Sequence, residues 1–354
     1  MAKKTAGYPS LIETIGEVSS TAETKCRLSY GQLIILGFIA AAYLALGTTL
    51  ALAAGATIQS ASVQKLLMGA VFPVGLIAVV VAGSELSTGN YLTTPLGAMT
   101  SCVKWSHVLR NWATSYAGNF LGAFLLAVIV IQGAHIGKLW GQPWVDLLTK
   151  VATQKAHLAP LEAFWRGFLC IWLVDLAIWQ SYRVKDYAAK FLLIWFPTFA
   201  FFTLGLEHSV VNMFLFPAAI FGGAAISWQQ FLLNNLLPVV VGNVVGGLFI
   251  VGMLYWFSAG LPRRLGSGVA EGGYKGDLDV PDDHVFTHVL AVTALRGASI
   301  AAVFLAVFPG GGAALSFLLP RSWGIAIPIV VMAYLAIAAF VFSVFLTTLG
   351  SRKK

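Results

Sequence analysis

Charge is scarce in this chain. Asp, Glu, Lys and Arg make up 10% of its 354 residues, against 58% hydrophobic, and the mean hydropathy is +0.82. A soluble domain of this length could not cover its surface with so few charges, so an all-α integral membrane protein is expected. Cysteine is nearly absent. Cys26, Cys102 and Cys170 form no CxxC pair, which excludes a disulfide framework and a thiolate metal site. Histidine is sparse as well: His107, His135, His157, His284 and His288 fall in loops or near the ends of apolar runs, with neither metal-ligand spacing nor the facing pairs that would hold haem. No cofactor, metal or catalytic group is therefore called for. The stretch from Met1 to Tyr30 lacks the apolar core and small-residue cleavage site of a signal peptide, so the N-terminus is expected to stay in the cytoplasm.

Long apolar runs are what the chain does have. A helix needs about 20 apolar residues to cross a hydrocarbon core roughly 30 Å thick. Such runs lie at about 32–55, 67–103, 111–132, 161–182, 191–226, 235–260, 286–309 and 323–349, the second and fifth interrupted by polar residues. With the N-terminus inside, fifteen Lys and Arg fall on the cytoplasmic side, among them Lys25, Arg27, Arg183 and Arg264; only Lys65, Lys138, Lys150, Lys155 and Arg321 fall outside. That bias sets both termini in the cytoplasm. It also accounts for the net charge of +8 without nucleic acid as a partner. Ahead of the first run, Leu11, Ile12, Ile15 and Val18 recur at helical spacing with Glu13, Glu17 and Glu23 between them, and Ser10 is placed to cap. This predicts an amphipathic helix within residues 1–30, lying on the membrane surface.

The fifth run holds Thr203-Leu204-Gly205-Leu206-Glu207-His208-Ser209-Val210-Val211-Asn212-Met213. Ionisable groups at bilayer depth cost roughly 2.5–3.5 kcal/mol each on insertion scales, and a broken helix there is tolerated only against protein or a cavity. The stretch is thus the candidate functional centre. It has a twin. Glu85-Leu86-Ser87-Thr88-Gly89-Asn90 shares its E-x-S-x-x-N pattern 122 residues earlier, and Gly118-Asn119-Phe120-Leu121-Gly122 matches Gly242-Asn243-Val244-Val245-Gly246 at an offset of 124. Two halves of three spans each, about 31–133 and 160–260, must have opposite orientations: a 3+3 inverted repeat with a broken helix in each half. Half-helix N-termini favour small anions. Thr88 and Ser209 add hydroxyl donors, Asn90 and Asn212 are expected to satisfy loop carbonyls, and the four paired glycines are read as packing.

These residues also carry a resemblance. Glu85–Asn90, Glu207-His208-Ser209, Lys155 ahead of Arg166-Gly167-Phe168-Leu169-Cys170, and the Leu173-Val174…Leu176-Ala177-Ile178-Trp179 run look like the formate/nitrite transporter family over roughly residues 10–260. The resemblance implies an aquaporin-like six-helix pore in each protomer of a homopentamer in a prokaryotic cell membrane, passing small monovalent anions or their conjugate acids. Formate comes first and nitrite next, with lactate, acetate and hydrosulfide as further candidates. By position, His208 corresponds to the family's central pore histidine, Thr88 to the hydroxyl facing it, and Lys155 to the lysine that draws anions into the outer vestibule. Phe72 and Phe201, with Leu76 nearby, would form the outer constriction and Leu86 the inner one. Glu207 would hold the loop or tune the histidine. The chain departs from the family pattern at Ser87, where an aromatic is common, at Ile171 and at Asp175.

Asp175 has two readings, a second proton-handling group or the partner of a basic neighbour. Residues 31–262 are expected to form the transport domain, followed by a polar linker over 263–285 and a two-helix membrane extension over 286–354. In that extension Arg296 lies near the middle of one run and Pro328 near the outer end of the other. The competing class is a membrane-anchoring, cofactor-bearing subunit of an oxidoreductase, against which the want of paired histidines and cysteine clusters weighs.

Overall fold

The computed structural model describes residues 8–260. The chain divides into two compact units, Met1–Leu158 with Glu162–Gly276, and Ala159–Leu161 with Asp277–Lys354. The helical bundle belongs to the first. The linker, the two-helix extension, Arg296 and Pro328 lie outside the described residues.

Among the described residues the fold is all helix, with no strand. Helix α1 spans Leu11–Arg27. Ser10 caps it through a reciprocal box: the Glu13 amide donates to Ser10 Oγ at 3.2 Å and the Ser10 amide to Glu13 Oε2 at 2.7 Å. Those bonds hold the Glu13 carboxyl below its ordinary range. The expected membrane-surface placement of this helix needs correction, because protein covers its apolar stripe. Ile15, Val18 and Ala22 are fully buried, and Ala22 comes so near α5 (Ser87–Met99) that a Cβ on Gly97 would lie 2.5 Å from it.

Helix α2 (Tyr30–Gly55) is the first apolar span. The second run begins earlier than its hydropathy suggests and has two interruptions: α3 (Ala61–Val71) and α4 (Pro73–Val81) meet at Phe72, and α5 follows after residues 82–86. Helix α6 (Trp105–Val128) ends in a π turn, Ile129–Gly133. The expected outer loop is instead helical, as α7 (Ile136–Trp140) and α8 (Gln142–Ala156), and Lys155 stands in the last turn of α8. Then come α9 (Pro160–Tyr182), α10 (Tyr187–Thr203) and α11 (Ser209–Phe221). The last run is α12 (Leu237–Gly246) between two π segments, Gln230–Leu236 and Gly247–Met253, closed by α13 (Leu254–Ser258). Four of these stretches are long and apolar enough to cross a membrane: Tyr30–Gly55, Ala61–Val81, Trp105–Gly133 and Gln230–Ser258. Helix α9 has the length but carries Glu162, Arg166 and Asp175.

Small residues let the spans approach backbone to backbone. A Cβ on Gly118 or Gly122 of α6 would lie 2.5 or 2.2 Å from the carbonyl oxygens of Ile34 and Phe38 in α2. On Gly242 or Gly246 of α12 it would lie 2.1 or 2.4 Å from those of Phe164 and Phe168 in α9. Without a hydrophobic drive between helices in lipid, such close packing supplies the cohesion.

Candidate functional site

Two helices stop in mid-run by the same device. Helix α4 gives way at Gly83 (φ +72°) and α10 at Gly205 (φ +69°), each in the left-handed region that favours glycine. The following amide turns back onto the helix: Ser84 N donates to the Val79 carbonyl and Leu206 N to that of Phe201, both at 3.1 Å, the bond that closes a Schellman end. Two extended residues later α5 and α11 begin, with Leu86 and His208 as their N-cap residues.

Each break is held by an equivalent set of bonds. Glu85 Oε1 pairs with Lys25 Nζ and Glu207 Oε1 with Lys155 Nζ, both at 2.6 Å. Asn90 Nδ2 donates to Glu85 Oε2 at 2.9 Å and to Asn111 Oδ1 at 2.8 Å. Asn212 Nδ2 donates to Glu207 Oε2 and to Asn235 Oδ1, both at 2.7 Å. Asn111 and Asn235 in turn donate to the carbonyls of Lys25 and Lys155. Asn90 and Asn212 therefore fasten the glutamates; the loop carbonyls expected of them fall to other side chains. Asn119 Nδ2 donates to the Glu85 carbonyl and Asn243 Nδ2 to the Glu207 carbonyl, both at 3.0 Å, while their Oδ1 atoms accept from the Ser87 and Ser209 amides, both at 2.9 Å. Both glutamates are buried, and the two lysine side chains are 18% and 14% exposed.

The symmetry ends at the N-cap residues. His208 Nδ1 accepts from the Val211 amide at 3.3 Å. In the neutral ring the proton then sits on Nε2, which donates to Thr88 Oγ1 at 3.1 Å. With its oxygen accepting from the ring, the Thr88 hydroxyl keeps its own hydrogen to offer elsewhere. Glu207 points to Lys155 and the two asparagines, so it braces the loop and does not touch the imidazole.

Apolar side chains close around this pair. Phe201 stacks on the His208 ring with centroids 5.9 Å apart and meets Phe72 edge-on at 5.5 Å; Phe72 in turn stacks on Phe202 at 4.1 Å. One cavity of about 570 Å³ reaches Lys65, Lys150, Lys155, Phe201, Glu207 and His208. Another of about 280 Å³ reaches Lys25, Leu76, Glu85, Leu86, Asn90 and Tyr182. The two share no lining residue.

Of the expected residues, the structure brings His208 to Thr88, Glu207 to Lys155, and Phe72 to Phe201. Ser87 and Ser209 are buried; the Ser87 side chain meets the Tyr91 phenol, and the Ser209 hydroxyl oxygen has no hydrogen-bond partner. Asp175, fully buried, is not joined to the basic neighbour that one reading gave it. Lys25, Asn111, Asn235 and Phe202 were not singled out by sequence. The signal was there for three of them: Lys25 precedes Lys155 by 130 residues and Asn111 precedes Asn235 by 124, offsets close to those of the motifs themselves. Among the described residues no group of His, Cys, Asp and Glu could hold a metal ion.

A sequence model described as formate/nitrite transporter matches residues 12–257. The chain is 40% identical over 271 residues to a probable formate transporter of Methanothermobacter thermautotrophicus, an alignment covering 72% of this chain and 98% of the relative. It is 33% identical to the nitrite transporter NirC of Escherichia coli, over 71% and 94% of the two chains. Among solved structures, an FNT family ion channel superposes with a TM-score of 0.64 at 32% identity, covering 70% of this chain and 98% of that one. A pentameric formate channel with formate bound gives 0.58 at 28%, covering 65% and 97%. These relatives are transporters and channels, which sets the oxidoreductase-subunit reading aside. The chain belongs to the formate/nitrite transporter family, and it is a multi-pass membrane transporter and not an enzyme.

Proposed function

We propose that each protomer passes small monovalent anions or their conjugate acids, formate first and nitrite next, through a pore between the two cavities, and that passage is linked to protons at His208. Lactate, acetate and hydrosulfide are lesser candidates. The observation that carries this reading is the His208–Thr88 bond: His208 lines the first cavity under Phe201, Thr88 is next in sequence to Gly89 in the lining of the second, and each cavity is walled by a Lys–Glu pair. The duplicated bond sets support an inverted repeat beneath it, the pentameric relative supports the same assembly, and the placement of Lys and Arg along the sequence supports a cell membrane with both termini cytoplasmic.

A bare anion cannot enter the phenylalanine constriction cheaply, because an unpaired charge loses many kcal/mol of hydration. The neutral acid enters at far lower cost. Lys155 is already matched by Glu207, so much of the attraction falls to Lys65 and Lys150, which line the same cavity and pair with no carboxylate among the described residues. As the dielectric falls on the way in, the anion's own proton affinity rises. The Thr88 hydroxyl, polarised by the His208 Nε2–H, offers the hydrogen bond, and imidazole is the side chain suited to trading protons near neutral pH. Taking a second proton at Nδ1 releases the Val211 amide, and losing a helix cap costs about 0.5–2 kcal/mol. The charge of the ring is thereby tied to the first turn of α11.

The test is flux in proteoliposomes across a panel of small anions and a range of pH. Wild type takes up formate with protons; His208→Phe, folded and inserted, abolishes that uptake. Unchanged uptake by this variant would remove the histidine from the mechanism, and uptake of none of the panel would remove the function.

A further inference from the structure

Asp175 stands in the middle of α9 with no solvent exposure, and neither carboxyl oxygen has a hydrogen-bond partner. Space for it is made across the helix interface. A Cβ on Gly247 would lie 2.4 Å from Asp175 Oδ2, 2.9 Å from the Tyr91 Cβ and 3.1 Å from Ile171. Gly247 also opens the π segment Gly247–Met253, the kind of helix irregularity that often accompanies functional positions. The carboxyl thus sits where α5, α9 and that π segment meet. From α5, the Tyr91 phenol interacts with both the Asp175 carboxyl and the Ser87 side chain. From α9 itself, the titratable neighbour is Cys170. The π segment contributes no titratable residue, and among the described residues no Lys, Arg or His pairs with the carboxyl.

An ionised carboxylate without a cation or amide beside it is among the most expensive groups to bury, and such a group takes up a proton instead. The neutral acid has one O–H donor and acceptor capacity to spare. The Tyr91 phenol, which interacts with both the carboxyl and the buried Ser87 side chain, links the two. Tyr91 stands one turn along α5 from Thr88, so this acidic corner and the His208–Thr88 pair adjoin the same short helix.

We propose that Asp175 is a proton-binding site, carried as the neutral acid, and that its loss of a proton restrains anion passage independently of His208. The restraint is electrostatic: a carboxylate with no cation beside it, packed against Tyr91 one turn along α5 from Thr88, repels an approaching anion in surroundings where charges are poorly screened. The second half of this inference rests on the reading of the chain as an anion pore; the first half does not.

Two measurements test it. Infrared spectra of the wild-type protein at neutral pH should contain a protonated-carboxyl C=O stretch that moves in D2O and is missing from Asp175→Asn. In proteoliposomes, formate uptake by Asp175→Asn should equal that of wild type at acidic pH and exceed it several-fold at alkaline pH, because the amide cannot ionise. Absence of the band overturns the proposal, as do superimposable pH profiles. Should Asp175→Asn fail to fold, the band in wild type still decides the proton site, by its presence or absence after alkaline titration. Should neither protein pass formate, the proposed transport function falls and the band decides the proton site alone.

Discussion

At the scale of single residues, the two Lys–Glu pairs answer how so polar a stretch survives inside the bundle. Glu207 is fully buried, and its carboxylate is shared by Lys155, Asn212 and Asn235. Removing one partner of such a pair leaves a charge in the interior, at a cost of about 3–5 kcal/mol, whereas removing both is far milder. Lys155→Met should therefore destabilise the protein in detergent by roughly that amount, and adding Glu207→Gln should recover much of it. Thermal or chemical unfolding of the two variants reads this out. Equal losses in single and double variants would mean that the pair is not what fastens the break. The sequence showed Glu207 and Lys155 as separate candidates, one in a span and one in an outer loop. Their meeting at 2.6 Å needed helix α8, which brings the lysine in from 52 residues away and which periodicity did not reveal.

At the scale of elements, the breaks and the close crossings are different solutions to one shortage: lipid offers the backbone neither water nor hydrophobic drive. The breaks bring their own donors, Asn119 and Asn243, on the neighbouring helices. The crossings use glycine. At Gly242 a methyl group would sit 2.1 Å from the Phe164 carbonyl oxygen, a backbone atom that cannot swing aside. Gly242→Ala should push α12 from α9, misplace Asn243 one residue along, and cost about 1–3 kcal/mol or more. Gly31→Ala, in the first turn of α2 with nothing within 4 Å, is the control and should be neutral or slightly stabilising, alanine being the better helix former by about 1 kcal/mol. Unfolding midpoints that agree between the two variants would count against glycine-mediated packing here. This level was well exposed in the sequence, since the G-N-x-x-G pairs signal both the packing and the asparagines. The fate of α1 was hidden, because an amphipathic stripe has the same periodicity whether it faces lipid headgroups or, as here, α5.

At the scale of the whole molecule, the membrane class and the four long apolar stretches found among the described residues were legible because hydropathy acts over about twenty residues at a time. The site was legible in its chemistry but not in its partnerships: Lys25 reads as an orientation charge until its contact with Glu85 is seen. The matched stretch, residues 12–257, holds every residue given a part in transport: both Lys–Glu pairs, the asparagines that brace them, the phenylalanines, Asp175 and His208. If the transport domain ends at residue 262, the function follows that stretch alone. A chain cut after Pro262 should then insert and take up formate at a rate per protomer within about twofold of the full-length protein. Its mass in detergent should also match the full chain in subunit number, five by the proposed assembly. Uptake and light scattering on the same preparation distinguish the outcomes. Loss of flux with the subunit number kept would place part of the pathway in residues 263–354, and loss of both would make those residues a condition of assembly. Retention of both would confine the transport machinery to the two sets of bonds that hold the broken helices and to the histidine that sets one apart from the other.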